Sequence, residues 1–285
     1  SGAIDQRNYK FANYLVNNEL NVAVIEFAYQ GPLLKLKNEK INFAITGDVI
    51  FNIIRNNSNI EEGNCYQNYI LNDGEQIDII STKKSTYGYL SVSAGFELEQ
   101  VWKSFSINTK AQIGPNNGKK YSINEKIFIK KSDIKKVKNR KINYKNSFNG
   151  TLRVLKGTNF DYFSNESKDI FFNETYSVTN LVDRMGMRLE GPNLKNIVNT
   201  NIKSEGLIRG VIQVPADGKP IILLSDHGTI GGYPKIAVVI SADLDKVAQL
   251  TPGAKIQFKE VNLKEAEKLF KDYSTETDKY LNEYS

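Results

Sequence analysis

Residues 204–242 read SEGLIRGVIQVPADGKPIILLSDHGTIGGYPKIAVVISA, and this stretch decides the fold. Two apolar runs, Val211–Val214 and Ile221–Leu224, flank Pro215-Ala-Asp-Gly-Lys-Pro220. The Asp217-Gly218 pair supplies the positive φ that a tight reversal needs, so the spacing predicts a β-hairpin. Asp226, His227, Gly228 and Thr229 follow, then Gly231-Gly232-Tyr233-Pro234-Lys235, and then a third apolar run, Ile236–Ile240. Paired glycines after a strand let main-chain N–H groups turn toward one point as an anion-binding nest, or let the backbone approach a ligand closely. A polar, glycine-rich loop between buried strands is where chemistry is expected.

Working outward, Thr151–Leu155 and Tyr176–Thr179 read as strands, with a turn or short helix over 160–172 between them. Past the hairpin, residues 243–250 fit an amphipathic helix capped by Ser241 or Asp243 and stopped by Pro252-Gly253. A strand over Lys255–Val261 and a charged surface helix over 263–278 follow. In the first half, Phe11, Ala12, Leu15 and Val16 recur at helical spacing behind a capping Asp5. Short runs at Val22–Tyr29, Leu33–Leu36, Ile41–Ile45, Val49–Ile54, Gln76–Ile80 and Tyr87–Val92 have the rhythm of a β-meander. Between 102 and 149 only Lys126–Ile129 reads as a strand. The expectation is a mainly β chain with few helices in two strand-rich halves, barrels or sandwiches. The expected division is 1–125, a basic linker at 126–145, a half at 146–265 carrying the glycine-rich loop, and a C-terminal helix or tail at 266–285.

With 285 residues and 40% hydrophobic content, the chain has enough apolar surface for a proper core. Its one cysteine, Cys65, allows no internal disulfide, which fits a reducing compartment and, with no apolar run near ~20 residues, makes cytoplasm the expected location. The net charge of +6 is local: residues 126–145 hold nine basic side chains against one acid, Asp133. With only Phe128 and Tyr144 aromatic in this segment, a solvated connector is favoured over nucleic-acid binding. A single histidine and a distant cysteine leave no expected metal site. Gly114-Pro-Asn-Asn-Gly118-Lys119 lacks both the spacing and the Ser/Thr of a phosphate-binding loop.

Several side chains around the loop carry candidate roles, each against a structural alternative. Asp226 and His227 point to opposite faces if the strand continues, and only a turn at Ser225 or Gly228 pairs them; otherwise His227 is a loop residue with satisfied hydrogen bonds. Lys235 either holds a carboxylate or is a solvated lysine at a strand start. Gln213, inside a strand, is either solvent-directed or a hydrogen-bonding group aimed at a ligand. Tyr233 either donates to a developing oxyanion or packs. Thr229, Gly231 and Gly232 would line the same ligand. In Asp183-Arg-Met-Gly-Met-Arg-Leu-Glu190 an extended strand puts Arg184, Arg188 and Glu190 on one face and Met185, Met187 and Leu189 on the other. The two arginines either clamp a carboxylate or build an Arg–Glu ladder.

The stretch from Gly210 to Leu244, with 183–192 upstream and Ala248-Gln-Leu-Thr-Pro-Gly253 downstream, resembles the biotin-dependent carboxyltransferase family that includes the C subunit of bacterial 5-oxoprolinase and the second subunit of allophanate-hydrolase and urea-carboxylase type proteins. Ser1-Gly-Ala-Ile-Asp5, Gly31-Pro32, Thr46-Gly47 and Ala94-Gly95-Phe96 extend the resemblance over most of the chain. It implies two cyclophilin-like β-barrel halves. It also implies a subunit that works with the A-like and B-like proteins of 5-oxoprolinase on a lactam or small carboxylate, with ATP used at the level of the complex. The alternative it implies is the carboxyltransferase half of a biotin-dependent urea or amide carboxylase. Biotin then arrives on another polypeptide, since the chain has no Met-Lys-Met site. A third, non-enzymatic alternative is a regulator that antagonises an inhibitor of a histidine kinase. Members carry a further segment before the Ser-Gly-Ala motif, with a Gln-Asp-x-Gly-Arg pattern. Two motifs depart from the family: Val101–Ile107 keeps Ser104 and Ser106 but loses a glycine and a threonine, and residues 226–232 have Gly228 for glutamine and Ile230 for threonine. Substrate choice is expected to shift with such changes.

Overall fold

Period-two alternation marks Val49–Ile54, Gly186–Glu190 and Lys255–Glu260, while Ile41–Thr46 and Tyr87–Val92 are buried throughout, and the chain divides into two units. The computed structural model describes residues 2–132, 137–198 and 201–282. Ser1 of the first motif and Asp133, Lys135 and Lys136 of the basic run lie outside them.

The first unit comprises residues 1–145 and 277–285. Helix α1 (Gln6–Leu15) starts where the Asp5 side chain accepts the Asn8 N–H, as its capping role predicts. Strands β1 (Ile25–Ala28), β2 (Leu33–Lys35), β3 (Ile41–Thr46), β4 (Val49–Ile54), β5 (Ile60–Glu62), β6 (Asn68–Leu71), β7 (Gln76–Thr82) and β8 (Tyr87–Val92) follow. They form two four-stranded sheets, ordered β1-β8-β3-β6 and β2-β7-β4-β5. Phe27, Phe43, Ile45 and Leu90 from one sheet and Phe51, Ile53, Ile77 and Ile79 from the other share one core. This half was expected as a barrel; its described strands stay in two sheets. β5 and β6 escape the sequence pattern because Ile-Glu-Glu and Asn-Tyr-Ile-Leu do not alternate cleanly.

Lys126–Ile129 is not a strand, a correction: Ile129 makes one isolated bridge to Phe96. Nor is the end of the basic run solvated. The Arg140 guanidinium donates to Tyr14 O at 2.6 Å and Asn17 Oδ1 at 2.7 Å, and Ile142 is buried.

The second unit, residues 146–276, contains a closed barrel. Its elements are β9 (Thr151–Lys156), α2 (Asn165–Asn173), β10 (Tyr176–Val182), β11 (Gly186–Glu190), β12 (Glu205–Gly206), β13 (Val211–Gln213), β14 (Ile221–Leu223), β15 (Ile230–Gly231), β16 (Lys235–Val239), α3 (Leu244–Ala248), β17 (Lys255–Glu260) and α4 (Leu263–Asn282), whose last turns belong to the first unit. The barrel order is β10-β11-β14-β13-β16-β9-β17, with β17 also paired to β10. Among the described pairs of this ring only β9–β17 is parallel. Leu152, Val154, Met187, Leu189, Ile212, Ile222 and Phe258 point inward and are fully or nearly fully buried, each contributing about 1.5–3 kcal/mol. Phe171 of α2 stacks on Phe258 with centroids 4.5 Å apart.

The β13–β14 hairpin is the one expected: Gly218 has φ +74° and its N–H donates to Pro215 O at 3.0 Å. Asp243 does not cap α3, a second correction. Fully buried, it accepts from Arg153 N at 2.9 Å and Arg153 Nε at 2.8 Å, and pairs with Lys246.

Candidate functional site

The third apolar run becomes β16, which lies against β13 with Val211 opposite Val238 and Ile212 opposite Ala237, but Gln213 opposite Lys235. That one-residue slip is a β-bulge, which bends a strand and re-aims its side chains. Without it Lys235 and Ala237 would share a face; with it Lys235, Ile236 and Ala237 are all buried. The Lys235 side chain keeps only 5% exposure, which rules out the solvated alternative.

A buried ammonium demands acceptors. Lys235 Nζ lies 2.6 Å from Glu205 Oε2 and 3.3 Å from Asn159 Oδ1, and the same Asn159 oxygen accepts the Lys235 main-chain N–H at 3.1 Å. The hydrogen bond from Lys235 holds the Glu205 carboxyl below the ordinary carboxylate range, and the Asn159 side chain adds to this. Glu205 and Asn159 are the neighbours of Lys235 that sequence reasoning missed. The signal available was the rule itself: a lysine at the head of a buried strand needs a carboxylate, and Glu205 opens the quoted stretch.

Glu205 is carried on a two-stranded ribbon of β12 and β15, in which it pairs with Gly231. The glycine pair is therefore extended and makes no nest, since neither Gly231 nor Gly232 has positive φ. Gly231 is needed for close approach instead: a Cβ there would stand 2.8 Å from Gln213 Nε2 and 2.8 Å from Leu207 Cδ1. Gln213 is buried and donates to Tyr233 O at 3.3 Å, which excludes the solvent-directed alternative. The Tyr233 side chain is partly exposed, and Thr229 accepts through its carbonyl from Leu207 N at 3.0 Å.

Asp226 and His227 do not pair. Asp226 is held by Arg184, with Nε–Oδ2 at 3.0 Å and a second contact at 3.2 Å, and its N–H donates to Arg184 O at 2.7 Å. His227 instead turns Nδ1 to Gly228 O at 2.6 Å, which leaves Nε2 facing away from that bond. Arg184 and Arg188 form no joint clamp, because Arg188 pairs with Asp217 and, next to it, Glu190 pairs with Lys219. The Arg–Glu ladder does not form either: Arg184 pairs with Asp226, Arg188 with Asp217 and Glu190 with Lys219. Met185 is exposed rather than inward because it sits in the turn before β11, where Asp183 Oδ1 accepts its N–H. Beside the loop lies a shallow, mainly apolar depression of about 340 Å³ lined by Met185, Arg188, Ile221, Leu223, His227 and Gly228, among others. The candidate residues thus fall into two places: Lys235 and Gln213 beside the ribbon that carries Gly231 and runs on into Gly232, and His227 and Arg188 at the depression.

Among the described residues no helix is long and apolar enough to cross a membrane, and no cluster of three or more metal-ligating side chains occurs.

A seven-stranded barrel that buries an ion-paired lysine beside a glycine-rich ribbon defines the class, a β-barrel protein. The chain belongs to the carboxyltransferase domain family, subdomains A and B, whose model matches residues 1–260. It is 31% identical over 275 residues to the 5-oxoprolinase C subunit of Haemophilus influenzae, covering 94% of this chain and 84% of that one. It is 29% identical to the 5-oxoprolinase C subunit of Escherichia coli, covering 95% and 86%. Urea amidolyase of Lachancea kluyveri is 26% identical over 94% of this chain, which spans 16% of that protein. The crystal structure of the K. lactis urea amidolyase matches 98% of this chain with a TM-score of 0.87 at 24% identity, and this chain spans 18% of it.

Proposed function

We propose that this chain is one component of an ATP-dependent 5-oxoprolinase-like assembly that opens 5-oxoproline to glutamate as ATP is hydrolysed, with the A-like and B-like proteins of such an assembly as partners. The observation that supports the reading is the likeness to two 5-oxoprolinase C subunits, 31% and 29% identical over 94% and 95% of this chain, against 26% over 94% for a urea amidolyase.

A lactam is resonance-stabilised, so water attacks readily only after the carbonyl oxygen is activated. Transfer of the ATP γ-phosphoryl group to that oxygen makes it a leaving group. Water then adds to the carbon and the C–N bond breaks with the proton going to the amine, which leaves an acyl phosphate; a second water hydrolyses that to the carboxylate and phosphate. Lys235 holds the substrate carboxylate or the charge developing on oxygen, where a fixed cation in a dry site acts strongly. The Tyr233 hydroxyl is a second donor on the exposed side. ATP is assigned to the partners. The loop from Gly114 to Gly118 does not fit a triphosphate, because a Cβ on Gly118 would lie 2.1 Å from the Gln112 carbonyl carbon, so the loop is closed on its own backbone.

Reconstitution with the A-like and B-like proteins tests this. The expected result is ATP turnover that depends on 5-oxoproline and falls at least tenfold in Lys235→Met; no such turnover, with Lys235→Met behaving as wild type, would end the reading. The second reading, a carboxyltransferase acting with a biotin-carrying partner, is favoured by the likeness to urea amidolyase over 94% of this chain. Carboxyl transfer from carboxybiotin to urea by the chain would decide for it.

A further inference from the structure

The geometry points to Glu205 as an internal counter-carboxylate that a small-molecule carboxylate displaces, with the Lys235 ammonium as the ligand site and the β12–β15 ribbon as its strap. Three observations carry this. The pair is lopsided: the Lys235 side chain is 5% exposed while that of Glu205 is 42% exposed, so the carboxylate forms the solvent-facing half.

The two acceptors of Lys235 are also fixed differently. Asn159 is built into the barrel wall, since its N–H donates to Lys235 O at 3.2 Å while its side chain accepts the Lys235 N–H. Glu205 hangs on a ribbon of two residues per strand, extended by Ile202 N to Gly232 O at 2.9 Å and Leu207 N to Thr229 O at 3.0 Å.

Finally, the ribbon buries little. Ile208 and Ile230 are 63% and 65% exposed, and a Cβ on Gly206 would meet nothing within 4 Å. Elements with few buried contacts open at low cost. Exchange of one carboxylate for another leaves the buried ammonium neutralised throughout, whereas an uncharged ligand would strand it. The site therefore selects small monocarboxylates over neutral analogues of the same shape.

The inference rests on the role given to Lys235 above and is independent of ATP turnover. Isothermal titration of the full chain at pH 7 with L-5-oxoprolinate, and with 2-pyrrolidinone as the neutral lactam, tests it. Glu205→Gln removes the competing charge and is expected to bind 5-oxoprolinate about tenfold more tightly than wild type, with no gain for 2-pyrrolidinone. Lys235→Met, alone or combined with Glu205→Gln, is expected to lose the carboxylate. Equal or weaker binding by Glu205→Gln, an equal gain for 2-pyrrolidinone, retained binding by Lys235→Met, or no binding by any of the proteins would each overturn the inference. Should Glu205→Gln lose its far-UV circular dichroism, Glu205→Asp, one methylene shorter, is read instead and is expected to bind a few-fold more tightly; unchanged or weaker binding overturns the proposal. If the tightening appears while the reconstituted assembly shows no turnover, the 5-oxoprolinase reading fails and the carboxylate site stands. Turnover without the tightening gives the reverse.

Discussion

Breaking the Lys235–Glu205 pair from its two ends should cost very different amounts. In Lys235→Met the carboxylate left behind is 42% exposed and returns to water, and methionine fills much of the lysine volume. A partly exposed pair is worth about 1 kcal/mol or less, so little stability is lost. Glu205→Gln instead leaves an ammonium with 5% side-chain exposure and one fixed acceptor, Asn159 Oδ1 at 3.3 Å. Stranding a buried charge costs about 3–5 kcal/mol, and the glutamine oxygen recovers part of this, which leaves roughly 2–3 kcal/mol. At roughly 3–5 °C per kcal/mol for a unit of this size, Glu205→Gln should melt about 10 °C below wild type and Lys235→Met within a few degrees of it. Urea unfolding at pH 7 measures both. The pH dependence has a definite sign. Because Lys235 lowers the folded-state pKa of Glu205, the contribution of the pair is present above the ordinary carboxylate value and lost as pH falls through the folded one. The gap between wild type and Glu205→Gln should therefore close as the pH falls below the ordinary carboxylate range. Equal midpoints at pH 7, or Lys235→Met as the weaker protein, would refute the assignment of burial to the lysine and exposure to the acid.

Asp243→Asn should cost about 3 kcal/mol at pH 7 by urea unfolding, since the fully buried carboxylate serves Arg153 and Lys246. Burial alone would raise its pKa, but the bonds from Arg153 and Lys246 outweigh burial and leave it lowered, so this penalty too should vanish in acid. Gly231→Ala forces Gln213 and Leu207 aside from contacts of 2.8 Å; because both are side-chain ends, about 1 kcal/mol of stability should go, together with several-fold weaker carboxylate binding by titration. Cys65, pushed up to about 11 mainly by burial, should resist iodoacetamide at pH 8 in the native protein and label promptly in urea, as followed by mass spectrometry.

Much of the scaffold is legible along the chain because its causes are local. Asp217-Gly218 sets a reversal through one backbone angle, Asp5 caps α1 through a hydrogen bond three residues on, and Met187 and Leu189 face inward by strand alternation. Misreadings arise where a local rule meets a distant partner. Arg184 and Arg188 look like one clamp by spacing, yet each meets a different aspartate, one in the loop after β14 and one in the hairpin turn. Gly231 and Gly232 look like a nest by composition, yet β12 draws Gly231 into a ladder and Gln213 fills the space its missing side chain leaves.

Sequence alone determined the β-rich class, the central hairpin, the family resemblance and the set of residues from which a site could be drawn. Tertiary structure decided which of those residues meet: the bulge in β16 that turns Lys235 inward, and the ribbon that brings Glu205 to it from 30 positions away. The physical reason is that alternation and turn chemistry act over a few residues, whereas the acceptor demanded by a buried charge is satisfied by whatever the closed barrel places beside it.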